Sequence, residues 1–158
     1  MTPDKSILIE DLGEMLMECD LFNNFPPAEV MSAARYFNAS KIEEGETVFE
    51  EGDDGTFMCI VNDGNVSILK ANQDDEAVEI ATLRKGRTFG EMAVLDGERR
   101  SASCVAATDC ILLTLTRDAL DKMLTEAPRT AAKVIRAVAV SLSKRLRMAD
   151  GRLVDHQI

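Results

Sequence analysis

A chain of 158 residues and 17.3 kDa matches one ordinary domain, and its 46% hydrophobic and 29% charged residues exclude a disordered or collagen-like polymer. The net charge of −10 and pI near 4.6 disfavour a nonspecific grip on nucleic acid or on an anionic membrane. The charge is uneven. Between Arg129 and Ile158 seven basic residues face two acidic ones, a local +5 that leaves −15 on residues 1–128. A basic end on an acidic body marks internal docking or a partner surface, although a solvated helix face is the commoner cause.

The N-terminus, MTPDKSILIEDLGEM, lacks the basic-then-apolar order of a signal peptide, and no apolar run reaches membrane-spanning length. Cys19, Cys59, Cys104 and Cys110 form no C-x-x-C pattern, so buried free thiols in a reducing cytoplasm are expected.

In chain order, Ile9, Leu12, Met15 and Leu16 recur at helical intervals and predict a helix from about Ser6 to Glu18. A second helix is expected from Pro27, with Val30, Ala33, Ala34 and Phe37 turned inward. The period then changes. Alternating runs predict strands at Ala39–Glu43, Thr47–Glu50, Thr56–Asn62, Asn65–Ala71, Ala77–Arg84, Ala102–Ala107 and Cys110–Thr116. Asp63-Gly64 reads as a tight hairpin turn, and residues 72–76 read as an exposed acidic hairpin tip. A helix capped by Thr116 carries Leu120, Met123 and Leu124 up to Pro128. A final helix over Arg129–Ala149 bears an apolar stripe of Val134, Val138, Leu142, Leu146 and Met148.

The segment from Gly86 to Ala102 is too long for a hairpin turn. Glu91-Met92-Ala93-Val94-Leu95 are good helix formers bracketed by glycines, so a one- or two-turn helix inside the β zone is expected. A helix start exposes unpaired N–H groups and partial positive charge, which favour an anion there. Arg100 can add a planar guanidinium fork and Ser101 a hydroxyl donor, while Gly90 permits close backbone approach. Glu91 would repel a phosphate and is better suited to accept from sugar hydroxyls.

Phe89-Gly90-Glu91-Met92-Ala93-Val94-Leu95 followed by Arg100-Ser101-Ala102 resembles the phosphate-binding cassette of the cyclic nucleotide-binding domain family. The likeness extends to Leu21-Phe22, Glu51-Gly52-Asp53, Asp63-Gly64-Asn65-Val66 and Leu83-Arg84-Lys85-Gly86. It implies an α+β fold: an antiparallel β jelly-roll barrel flanked by N-terminal helices and two C-terminal helices. In these terms residues 1–38 are an N-terminal helical segment, 39–116 the barrel with its cassette at 86–102, 117–150 the C-terminal helices and 151–158 a tail. The resemblance further implies that Gly90, Met92 and Ala93 sit at backbone contacts to the cyclic phosphate, Arg100 pairs with its charge, Glu91 takes the ribose 2′-hydroxyl, and Phe89, Ser101 and Ala102 belong to the ligand-binding set. Ser101 resembles the bacterial catabolite activators, which use cyclic AMP, whereas Thr there goes with guanine, so cyclic AMP is favoured and cyclic GMP kept open. Ile68, Ile80, Ala81 and a residue between Arg147 and Arg152 are expected at the base. Arg99 stands where kinase regulatory subunits often carry Pro, so the loop entering Arg100 is expected to be less rigid and either arginine is open as the anion ligand, with Arg100 the better fit.

His156 is the only histidine and lies in the tail, so neither a metal-dependent enzyme nor a Ser/His/Asp or Cys/His arrangement is available in the folded zone. No catalytic residue, no metal and no cofactor beyond the ligand are expected. With only a short stretch after the final helix, no DNA-binding motif and no membrane segment are expected. The reading is therefore a stand-alone cyclic nucleotide sensor that repositions its C-terminal helices and signals to a separate protein effector. A homodimer through the final helix is left open, and a ligand-free interaction module with the same fold is the competing reading.

Overall fold

The computed structural model describes the backbone of residues 1–157 and the side chains of residues 1–151. Nine strands, β1 (Thr2–Pro3), β2 (Asn38–Ile42), β3 (Thr47–Phe49), β4 (Phe57–Asp63), β5 (Val66–Ala71), β6 (Ala77–Leu83), β7 (Thr88–Phe89), β8 (Ser103–Ala106) and β9 (Cys110–Thr116), form two antiparallel sheets. Their orders are β1-β2-β9-β4-β7 and β3-β8-β5-β6, a jelly-roll-like sandwich. Helices α1 (Ile9–Met17), α2 (Pro27–Ala34), α3 (Glu91–Asp96), α4 (Arg117–Glu126) and α5 (Pro128–Gln157), with a 3-10 turn at Asp20–Phe22, complete the α+β fold.

The apolar run of β4 shows why the molecule has layers. Successive side chains on a strand point to opposite faces. Cys59 and Val61 therefore enter the sandwich interior with Phe49, Val66, Phe89 and Leu112. Met58 and Ile60 face the other way, against Leu16, Phe22, Val30, Leu113, Leu115 and Val134 beneath the helices. A strand buried on both faces reads as a continuous hydrophobic run rather than an alternating one.

Several expectations change. Asp63-Gly64 is a turn, with Gly64 at φ +89°, but β4 and β5 belong to different sheets and form no hairpin. The chain crosses between sheets there, so close to the β8–β9 turn that a Cβ at position 64 would lie 2.3 Å from the Asp109 carbonyl oxygen. The hairpin is β5–β6, whose acidic tip is tied by Asn72 Oδ1 accepting from the amides of Asp74 and Glu76, each at 2.9 Å. The final helix does not stop at Ala149: its backbone continues to Gln157 in place of the expected tail, and the His156 side chain lies outside the described residues. The expected stripe on α5 also divides. Val134 and Val138 are buried and Leu142 half-buried, whereas Leu146 is 63% and Met148 60% exposed. At 3.6 residues per turn the core-facing line through Val134, Val138 and Leu142 reaches Arg145 next, not Leu146. Ile9 and Leu124, expected inward, are exposed at the margins of their helices.

Candidate functional site

Strand β7 delivers the chain to Gly90, which caps α3 in the left-handed region at φ +74°; Gly97 ends the helix at φ +75° with its N–H on the Ala93 carbonyl oxygen. A Cβ at position 90 would also sit 2.6 Å from Arg100 Nη1 and 3.2 Å from the Phe49 ring. Position 90 therefore needs glycine for backbone conformation and for space. Gly90→Ala is expected to cost about 1–3 kcal/mol from these combined causes, read as a lower midpoint in urea unfolding at unchanged slope.

Of the two adjacent arginines, Arg100 is the one built into the site. It is 4% exposed, with its guanidinium carbon 3.8 Å from the Phe49 ring centroid and 4.8 Å from that of Phe57. Its Nη1 donates to the Gly90 carbonyl oxygen at 2.8 Å, its Nη2 to the Phe57 carbonyl oxygen, and its buried Nε has no partner. Two of five N–H groups are thus engaged, which leaves three for another acceptor. No carboxylate pairs with it among the described residues. Burial, the largest cause, pulls its pKa below the ordinary value; Arg117 acts in the same direction, while Cys59, Cys104 and Asp53 oppose it. A guanidinium nevertheless stays charged, so a desolvated cation faces the start of α3 without an anion. Arg99, by contrast, has a side chain 75% exposed, paired with Asp54 and donating to the Gly52 carbonyl oxygen.

Glu91 opens α3 and is 3% exposed. Its Oε1 accepts from Arg145 Nη1 at 2.5 Å, and Arg145 Nη2 donates to the Thr88 carbonyl oxygen at 2.6 Å. One α5 side chain thus clasps both the cassette carboxylate and the strand leading into it. Arg117, at the start of α4, makes a second tie: its Nη2 donates to the carbonyl oxygens of Gly55 at 2.5 Å and Ala93 at 3.1 Å. Gly55 lies so close beneath α3 that a Cβ there would overlap Ala93.

The other expected site residues distribute unevenly. Phe89 and Ala93 are buried, Ala102 is half-buried, and Met92 and Ser101 are exposed. The Ser101 carbonyl oxygen accepts from Lys70 Nζ at 2.6 Å, and Lys70 also pairs with Glu51 at 3.0 Å. Ile68 and Ala81 are directly paired across β5 and β6. Ile80 is exposed where the register shifts, Leu69 pairing with Glu79, so Ile80 has no partner in the ladder and is not directly paired with Ile68 as Ala81 is. Between Arg147 and Arg152, where a residue is expected at the base, α5 is solvent-exposed through Gly151. The side chain that reaches the cassette is Arg145, and that of Arg152 lies outside the described residues.

Phe49, Phe57, Arg117 and Arg145 are the contributors that sequence reasoning missed. Arg145 alone left a signal, a charged residue on the core-facing line of α5. Among the described residues no His, Cys, Asp and Glu cluster is arranged to hold a metal ion, and no helix is long and apolar enough to cross a membrane.

Residues 39–127 match the family model described as the cyclic nucleotide-binding domain. The chain is 35% identical over 130 residues to a cyclic AMP receptor protein of Thermus thermophilus, across 82% of this chain and 58% of that protein. It is 28% identical over 116 residues to a cAMP-dependent protein kinase regulatory subunit of Yarrowia lipolytica, across 73% of this chain and 30% of that one. The chain thus spans less than two thirds of either relative. Among solved structures, a cyclic nucleotide-binding domain from Methylobacillus flagellatus superposes with a TM-score of 0.80 at 29% identity, covering 95% of this chain and 84% of that one. The Thermus thermophilus catabolite activator protein gives 0.75 at 34% identity, covering 84% and 61%.

Proposed function

Because the chain belongs to the cyclic nucleotide-binding domain family, we propose that it binds cyclic AMP at the α3 cassette without altering it and signals through α5 to a separate protein in the cytoplasm. The observation that carries this reading is Arg100, a buried cation with three unused N–H groups and no carboxylate partner among the described residues. A phosphodiester anion beside it would accept from the guanidinium and from the first amides of α3, and would compensate a charge the fold leaves unanswered. Glu91 offers its second carboxylate oxygen to the ribose 2′-hydroxyl while the first stays on Arg145. Ser101, where related domains with a guanine preference carry Thr, favours cyclic AMP over cyclic GMP, and the names of the relatives point the same way.

The output follows from the clasp. Ligand that engages Glu91 and the start of α3 binds the arrangements with α5 docked and undocked unequally, and occupancy biases the helix by that difference in affinity. A thermal melt tests the binding. At about a hundredfold cyclic AMP over Kd the stabilisation is about 2.7 kcal/mol, a rise in Tm of roughly 5–10 °C for this size. A melt unmoved by millimolar cyclic AMP and cyclic GMP would instead identify an interaction module that keeps the fold and binds neither.

A further inference from the structure

A cleft of about 720 Å3 adjoins Arg145 and the first residues of the cassette, Gly86 to Thr88, between the 3-10 turn with Asn23 to Phe25 and one face of α5. Arg87, Lys133, Arg136 and Lys144 line it. Lys133 is paired with Glu29, but Arg87, Arg136 and Lys144 have no carboxylate partner among the described residues. Three unanswered cations in one cleft run against a chain whose net charge is −10. Asp20 and Glu29 also line the cleft, but its cations outnumber them, and an anionic partner relieves the repulsion that remains.

The shape narrows the class of partner. From Lys133 to Met148 the α5 wall is about 22 Å long, the reach of an extended segment of roughly six or seven residues. Leu21, Phe25, Ala137 and Val140 supply apolar surface between the cations, with Val140 45% exposed. The acidic remainder of the molecule opposes a nucleic-acid backbone, which would continue past the cleft onto like charge. We infer that this cleft is a docking site for an acidic segment of a partner protein that carries apolar side chains among its carboxylates. The cleft shares Arg145 and residues 86–88 with the edge of the cassette but lies away from Arg100, and its test needs no nucleotide.

The test is fluorescence anisotropy with the full chain and three labelled peptides of about ten residues, in which Leu is interspersed with Glu, Gln or Lys. The Glu peptide is expected to bind with a Kd in the micromolar range, to weaken steeply with added salt, and to outbind both controls by at least about tenfold. Arg136→Glu combined with Lys144→Glu is expected to weaken it by at least about tenfold, and Lys144→Glu alone by a smaller factor in the same direction. Both positions are exposed, and circular dichroism with a melt reads the folding of each variant separately. Equal binding of the Gln peptide, or affinity for the Glu peptide unchanged by the reversals in folded protein, overturns the inference. So does a labelled single-stranded oligonucleotide that binds the same cleft as tightly as the Glu peptide. Sedimentation showing that the reversals dissociate a dimer would assign the cleft to a second copy of the chain and likewise overturn it.

Discussion

Arg100→Leu is expected to weaken cyclic AMP binding by at least about thirtyfold, within a loss of about 2–5 kcal/mol, as measured by titration calorimetry. The size follows from where the charge sits. Arg100 lies between Phe49 and Phe57 out of water, so its attraction for an anion is little screened. The fold is expected to lose little. The substitution leaves the carbonyl oxygens of Gly90 and Phe57 without this donor, but it also removes a desolvated cation that no carboxylate compensates. Leu keeps aliphatic contact with the two rings. Binding as tight as that of the unaltered protein would show that the anion is held elsewhere.

The second large effect is expected from Arg145→Ala. It strands the Glu91 carboxylate in a site that is 3% exposed. Removing one member of a fully buried pair costs about 3–5 kcal/mol; the Arg145 side chain is 36% exposed, which moves the expectation down to about 2 kcal/mol and a fall in Tm of roughly 4–8 °C. Hydrogen exchange should quicken along the part of α5 beyond Leu142, where Leu146 and Met148 already face solvent and Arg145 is the inward tie. Adding Glu91→Gln should recover part of the lost stability, since a neutral amide needs no cation, and a double-mutant cycle then yields the coupling energy. Unchanged exchange in α5 of the single variant would show that the helix is held by Val134 and Val138 alone.

These two residues also mark what the sequence could reveal. Gly90, Glu91 and Arg100 lie within one short segment, and the glycine, the helix formers and the arginine each have a local chemical meaning that survives without coordinates. The longer strands were legible for a related reason, since apolar runs bounded by turn residues are a local property, whereas β1 and β7, two residues each, carry no such run. Arg145 was not legible in this way. It reaches Glu91 across 54 positions, so its charge on the inner line of α5 marked an inward cation without naming the partner that answers it. The Phe49–Arg100–Phe57 stack joins three separate segments through contacts that no spacing encodes. The β6 bulge leaves Ile80 without a cross-strand partner, which alternation cannot foresee because it assumes an unbroken ladder. The end of α5 was missed because Asp150-Gly151 looks like a helix stop, yet the backbone passes through it.

The four thiols are all buried, and burial pushes those of Cys19 and Cys104 up to about 12 and that of Cys59 higher than its ordinary value. Since the thiolate is the reactive species, burial holds back the thiol chemistry of Cys19, Cys59 and Cys104 for as long as the chain is folded. Alkylating reagents reach the four buried thiols only through opening of the core, so covalent labelling at these positions keeps time with unfolding and not with occupancy of either surface site.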